Sequence, residues 1–589
     1  MSDARRLRSF GPIVACVTLI VVAYARAPLG AFVWDDLHLI VRNANFQSWS
    51  TWASALTGSF WSGTSIEVND FYGSVFRPIL SGAYLVQVQL FGENPVGYHL
   101  VSLALHVACT VLAIRWIERR VPSATSLGLF VGGLVFAIHP SRVEAVAWIS
   151  GSGDLWMTLW VLLGLEAWDR RHAWLAGGLL GLAVLSKEAA VIVPLLIATD
   201  QILLGRERSW RRWAALGATL GLIVGVRAWL VPVATSGRLG LEEMPWRVLS
   251  TLGHFAQRTV VPWPQTVQPA ARAYDSTASE VFAGWAIAVG IIVVVMLALL
   301  VVGSRARSGR TKPWLADALW YVVALAPTLS FIDIDALARA SDRFAYLPML
   351  GLSALLARTA TWVATKGQLP RRIVSLASAT IAISFVLLTA LHVTHFRNDY
   401  TLWTHEYETD PTNTDALWAL SGMAEHQGLV ETAHRLCTEG FEAAQQKRFH
   451  WTSIRFALCQ LETALEIAIP DDPETVEYVR DVYDDLMRRS VLAADRGSLR
   501  FDIDVRSDVH RKRLMADATQ VALPRARAHL ASGSLASAVE QLERVTRSYP
   551  RAEEGWVLLI AAYRESGDDA RADATEAWAT RLFGKWPPR

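Results

Sequence analysis

Runs of about 20 apolar residues recur through the first two-thirds of this chain, and a helix of that length rises roughly 30 Å, the thickness of a bilayer's hydrocarbon. Lipid offers backbone N–H and C=O groups no partner, so the expected fold is all-α, a polytopic bundle of spanning helices. Composition agrees, with 52% of the 589 residues hydrophobic and only 19% charged, where a soluble domain carries about 25%. A net charge of +2 gives no reason to expect a nucleic-acid partner. The cysteines, Cys16, Cys109, Cys437 and Cys459, show neither metal-ligand spacing nor a dense disulfide framework. Only six of the 56 basic residues are lysine, an arginine bias that fits a GC-rich bacterial genome better than any physical need.

Spans are expected at 11–25, 98–116, 124–139, 154–168, 173–186, 189–204, 213–232, 281–302, 314–331, 345–363 and 373–393, eleven in all. The first stays uncleaved, because Ala31-Phe32-Val33-Trp34-Asp35-Asp36 offers no small-residue cleavage site. With the amino end inside, every short inside loop is basic: Arg115, Arg119 and Arg120; Arg170 and Arg171; Arg206, Arg208, Arg211 and Arg212; Arg305, Arg307, Arg310 and Lys312; Lys366, Arg371 and Arg372. A twelfth span at Val248–Trp263 would invert that pattern and is interrupted by His254, Gln257 and Arg258, so it reads as a re-entrant or surface-lying helix. The long first loop (27–97), the segments around 139–153, 187–188, 233–280 and 332–344, and everything after His395 then lie outside. The expected location is a bacterial inner membrane, with the amino end cytoplasmic and the tail on the periplasmic side.

The chain divides into a membrane domain, 1–396, and a soluble helical tail, 397–589. Gly533 and Gly567 are 34 residues apart, Ala538 and Ala572 keep the same offset, and Gly428 and Ala433 repeat the Gly-to-Ala spacing. That period, with Gly at the turn and a small residue where helices cross, is the tetratricopeptide signature. The stretch 440–520 is helical in pattern but too irregular to divide into repeats.

Ionisable residues gather at the outer ends of the spans. Asp35 and Asp36 follow the first span and open a loop carrying Trp34, Trp49, Trp52 and Trp61; Arg77 sits in Phe76-Arg77-Pro78; His139, Glu144 and Asp154 mark a third segment; Lys187 and Glu188 mark a fourth; Asp342, Arg343 and Tyr346 mark a fifth. Each alone reads as a helix cap or helix-end ion pair. Together they are harder to dismiss, because charge near a bilayer costs several kcal/mol unless it is paired or used. Pro140 suits the first turn of a short helix, which puts His139 at its cap and Glu144 one turn on.

These segments, in this order, resemble the transmembrane and tetratricopeptide-repeat O-mannosyltransferases, within the wider class of polytopic glycosyltransferases that use lipid-phosphate sugars. The likeness runs from Phe32-Val33-Trp34-Asp35-Asp36 through Phe76-Arg77-Pro78, Gly97-Tyr98-His99-Leu100, His139-Pro140, Val143 to Asp154, Leu185-Ser186-Lys187-Glu188 and Asp342-Arg343 with Tyr346-Leu347-Pro348, to Arg397-Asn398-Asp399 and Trp403. Two departures stand out: Phe76 where relatives have Tyr, and Gly151-Ser152-Gly153-Asp154 where they have Gly-Arg-Ala-Asp.

The resemblance implies inverting transfer of a sugar, mannose first among the candidates, from a polyprenyl phosphate to a hydroxyl on the outer face, with a protein Ser/Thr, lipid or glycan as acceptor. A polyprenyl phosphate is already a stable leaving anion, so such an enzyme needs a base for the acceptor proton and cations for the phosphate. By analogy Asp35 is the base and Asp36 its runner-up or orienting partner. Arg77, Lys187 and Arg343 are the donor-phosphate candidates, and His139, Glu144, Asp154, Glu188 and Tyr346 the sugar and acceptor site. A divalent Mg or Mn ion is compatible with the Asp pair but not required by it. Two rival readings compete: a non-catalytic scaffold or receptor presenting the repeats, and a transporter, disfavoured because no two-half repeat is visible.

Overall fold

The computed structural model describes residues 3–64, 75–230, 244–263, 265–267, 312–328, 341–366, 371–446, 456, 459–460, 463, 523, 526–548 and 553–583. Among them it is all-helical, and the chain separates into two compact units, Met1–Thr409 and Asp410–Arg589. The helix Asp399–Thr409, which the sequence groups with the tail, belongs to the first unit.

Helices occupy every expected span position that lies in the described residues; 281–302 and the Arg305–Arg310 charges lie outside them. Among the described residues, four helices are long and apolar enough to cross a membrane: Arg8–Leu29, Pro95–Arg120, Trp210–Leu230 and Arg372–Arg397. A fifth counts if Ser126–Ile138 and Pro140–Ala147, bent by 48° at their junction, form one broken span. The bend has a local cause: Pro140 opens a 3-10 turn, and the His139 ring caps it by accepting from the Ser141 N–H. Pro78–Phe91, read from sequence as part of the outer loop, is an apolar helix of 14 residues, about 21 Å long at 1.5 Å per residue and so too short to span. It instead buries Leu80, Tyr84, Leu85 and Val88 against Leu39, Ile40, Phe46, Phe60 and Ile149, which folds the first loop onto the bundle; Ala173–Ser186, at an expected span, is equally short at 14 residues.

Small residues let the helices close up. Gly128 and Gly132, one turn apart, face Met349–Lys366, where an added Cβ would fall 2.7 Å from the Ala357 carbonyl and 2.6 Å from that of Ser353. The two ends of the bundle differ in charge use. At one end Arg119 and Arg206 both pair with Asp169, and Arg120, fully buried, bridges Asp200 and Asp317 while Arg358 also holds Asp317. Arg120, expected to sit in a solvated basic loop, is therefore an internal staple. Asp169 closes the helix that Gly153 and Asp154 open, so some 22 Å of helix separates this end from Asp154.

In the second unit, helices Thr414–His426, Val430–Gln446, Leu535–Ser548, Glu553–Glu565 and Asp569–Phe583 follow the tetratricopeptide-like pattern. Gly428, Gly533 and Gly567 all adopt positive φ, from 70° to 78°, at the turns between helices, and Ala433, Ala538 and Ala572 are completely buried at the crossings. Cys437 and Cys459 form a disulfide that the sequence spacing did not reveal, with Cα atoms 5.8 Å apart.

Candidate active site

The Asp35–Asp36 corner is an unusual piece of backbone. Trp34 has φ +54, a left-handed conformation that costs a bulky residue about 1–2 kcal/mol. Three neighbours hold it there: its N–H donates to Asp399 Oδ1 at 2.6 Å, its indole stacks on Trp148 at 4.8 Å, and Trp403 meets it edge-on at 5.4 Å. The Arg397-Asn398-Asp399 and Trp403 motif, read from sequence as the lead-in to the repeats, is thus part of the clamp on this corner.

The two aspartates that follow differ. Asp36 is 0% exposed, and its oxygens accept from the Val33 N–H at 3.0 Å, the Ser150 N–H at 2.8 Å and the Ser150 hydroxyl at 2.5 Å. Burial pushes Asp36 up to about 7 although those donors pull the other way. Its carboxylate ties the first loop to the segment containing Glu144 and Asp154. Asp35, next in the chain to it, is half-buried.

The three candidate cations come from three separate segments, and each rests on a carboxylate that is itself a sequence candidate. Arg77, capping Pro78–Phe91, donates through Nε and Nη2 to Glu188 Oε2 at 3.1 and 3.0 Å. Lys187 Nζ donates to Asp154 Oδ2 at 2.5 Å and lies 4.5 Å from the centre of the Phe344 ring. Arg343 pairs with Glu144 through its guanidinium, and its backbone N–H donates to the same carboxylate at 3.0 Å. The Arg343 guanidinium also lies over Trp148 and Phe344, at 4.9 and 4.8 Å.

These pairs share one neighbourhood. Burial lowers Lys187 to about 8; Asp154 opposes the fall, and Arg343 and Arg77 add to it. Tyr84, whose hydroxyl donates to the Ile149 carbonyl at 3.1 Å, feels Asp36, Arg77 and Asp154 together. One arrangement therefore brings together Asp36, Arg77, Glu144, Asp154, Lys187, Glu188 and Arg343. Chemically it is a cluster of cations, each neutralised by a carboxylate that an incoming phosphate could displace.

The side chains of His139 and Tyr346 are engaged with other partners. His139 is occupied by its cap and by the Thr259 carbonyl, 3.2 Å from Nε2. The Tyr346 hydroxyl lies 2.6 Å from His106 Nδ1, and the Arg142 guanidinium lies 4.9 Å from the centre of the Tyr346 ring. Arg142 was not singled out from sequence, yet it is 0% exposed and its Nε and Nη1 have no hydrogen-bond partner among the described residues. Gly151, inside the departure from the expected motif, has no room for a side chain, since a Cβ would lie 2.6 Å from the Glu144 carbonyl oxygen. Among the described residues, the single group of three or more His, Cys, Asp or Glu side chains with metal-like spacing is His392, His395 and His405, and it excludes Asp35 and Asp36.

Comparison with known proteins gives two results. Residues 493–579 match the family described as Bacterial transcriptional activator domain, a tetratricopeptide-like helical module. The chain is also 30% identical over 218 residues to Protein O-mannosyl-transferase Tmtc1 of Drosophila melanogaster, covering 36% of this chain and 25% of that protein. It is 32% identical over 151 residues to Protein O-mannosyl-transferase TMTC1 of Homo sapiens, covering 25% and 17% of the two chains, and 28% identical over 204 residues to Tmtc2 of Drosophila melanogaster, covering 32% and 21%. The matched region thus spans a quarter or less of these relatives.

Proposed function

We propose that this chain, a relative of the protein O-mannosyl-transferases, is a membrane glycosyltransferase that moves a hexose, mannose, from a polyprenyl phosphate to an acceptor hydroxyl with inversion. The observation that carries the reading is the convergence of Arg77, Lys187 and Arg343 beside the Asp35–Asp36 corner, each seated on a carboxylate. Three cations match the charge that develops as the sugar leaves a lipid phosphate, and none has to supply a proton.

In this account Asp35 takes the acceptor proton, because it lies half-buried at the held corner, whereas Asp36 is sealed and donor-saturated. Asp36 is a positioning residue that fixes the corner to Ser150. Arg343 and Lys187 take the phosphate oxygens when the donor displaces Glu144 and Asp154, and the freed carboxylates with Glu188 hold sugar hydroxyls. Phosphate binding favours the charged form of Lys187 and so draws in a proton above pH 8. His139 and Tyr346 support the helix break beneath the site. A protein acceptor would be presented by the helical tail.

The reading puts the tail on the outer, periplasmic side of a bacterial inner membrane. The Cys437–Cys459 disulfide supports this, since such bonds persist in oxidising compartments. Native mass spectrometry of the full chain, released from membranes in mild detergent, tests the donor assignment. The expected adduct is a polyprenyl phosphate carrying one hexose, lost in Arg343→Ala; an adduct of bare phospholipid alone in both proteins overturns it.

A further inference from the structure

Three histidines unconnected with the charges above meet where the last span ends. His392 lies in the final turns of Arg371–Val393, His395 in the 3-10 turn Thr394–Arg397, and His405 on Asp399–Thr409. One ring nitrogen from each lies within 4.8 Å of those of the other two, and His392 Nδ1 is 3.4 Å from His395 Nδ1. Ligand nitrogens around a tetrahedral ion with bonds of about 2.0–2.1 Å are roughly 3.3 Å apart. The His395 and His405 rings approach to 3.6 Å between centres.

A second observation fixes one ring. His405 Nε2 lies 2.7 Å from the Gln265 carbonyl oxygen; a carbonyl only accepts, so Nε2 carries the proton and the Nδ1 lone pair is bare. A histidine that donates one ring nitrogen to a backbone carbonyl and keeps the other unprotonated has the usual outer-shell arrangement of metal-bound imidazole. Imidazole donors without a carboxylate suit zinc and its transition-metal neighbours, not Mg or Ca.

We propose that His392, His395 and His405 form a three-histidine site for one zinc-class divalent ion, with its fourth position open to water or an outside ligand. The ion clamps the last span to the helix that follows it, whose His405 in turn holds the Gln265 carbonyl. Because that helix carries Asp399 and Trp403, two of the three residues that hold Trp34, loading the site stiffens the Asp35 corner. The ion itself takes no part in sugar transfer, so the proposal does not rest on that reading.

The test uses the full chain in detergent, purified with a histidine-free tag, stripped by chelator and re-equilibrated with zinc or cobalt. The expected results are one zinc per chain by elemental analysis, undiminished by excess magnesium, and a visible ligand-field spectrum with cobalt. His392→Ala and His405→Ala should each lose the ion, while His426→Ala, at an exposed position, should keep it. X-ray absorption of the zinc-loaded wild-type chain should show imidazole nitrogens at about 2.0–2.1 Å, a readout that does not depend on the variants folding. No zinc retained by monodisperse wild-type protein, zinc held by oxygen or sulfur donors, or zinc retained undiminished in both alanine variants would each overturn the site, leaving a packed aromatic cluster.

Discussion

Removing Asp399 should release the corner that carries Asp35. Trp34 pays about 1–2 kcal/mol for its left-handed φ. Against that stand its charge-assisted hydrogen bond to Asp399, about 1.5–3 kcal/mol, and its stack on Trp148, about 0.5–1.5 kcal/mol. With Asp399 in place the clamp wins. In Asp399→Ala the stack on Trp148 and the edge-on contact with Trp403 still oppose the strain, about 0.5–1.5 kcal/mol each, and nearly match it, so a relaxed corner becomes populated by up to about fivefold over the held one. The measured stability loss should then be smaller than the bond lost, about 0–2 kcal/mol, because the strain is released with it. Equilibrium unfolding in mixed micelles would read the stability, and labelled-sugar transfer from a polyprenyl phosphate the activity. Turnover should fall about two- to fivefold with KM for the donor little changed. A loss of 3 kcal/mol or more in stability with unchanged turnover would refute the reasoning, since it would mean that Trp34 stores no strain and positions nothing.

Other expectations follow from the ion pairs and the packing. Arg343→Ala leaves Glu144 buried without its partner, so stability should drop by about 3–5 kcal/mol; adding Glu144→Ala should restore most of it by thermal unfolding while donor binding stays lost, which separates phosphate recognition from structure. Lys187, lowered to about 8 by burial, is largely charged at pH 7 and largely neutral at pH 9, so KM for the donor should rise as pH passes 8, and Lys187→Met should flatten that limb at a high KM. Gly151→Ala drives a methyl against the Glu144 carbonyl and should destabilise by about 1–3 kcal/mol, measurable in the same micelle assay; a neutral effect would show that the turn can shift without disturbing Ser150.

The apolar helices were legible because apolar length is a local property, and the tail's turns because glycine at a fixed period has a steric reason; which of those helices cross the membrane was not, since four of them, or five with the bent pair, are long and apolar enough among the described residues. The pairing of charges was not. Arg77 with Glu188, Arg343 with Glu144 and Trp34 with Asp399 join residues 111, 199 and 365 positions apart, and nothing in local spacing says which carboxylate a cation will meet. Reading Arg77, Lys187 and Arg343 as one set and Glu144, Asp154 and Glu188 as another therefore grouped the residues without showing that each member of the first sits on a member of the second. Pro78–Phe91 escaped because 14 residues fall short of a span and its burial depends on the first loop folding back. Arg120 carried the expected basic charge, but its partners Asp200 and Asp317 lie on two other helices. The His392-x-x-His395 spacing was visible, yet the third histidine sits on a separate helix and only the fold brings it near.

The central claim is that Asp35 removes the acceptor proton while the neighbouring cations hold the leaving phosphate. It is tested most directly by single-turnover transfer from a labelled polyprenyl-phosphate mannose to protein acceptor, comparing wild type with Asp35→Asn. That change keeps the shape and hydrogen-bonding reach of the side chain but removes its basicity, so donor binding should survive while the transfer rate falls by roughly 10²–10⁴-fold. Near-normal transfer by Asp35→Asn, with Asp36→Asn alone inactive and normally folded, would contradict the assignment.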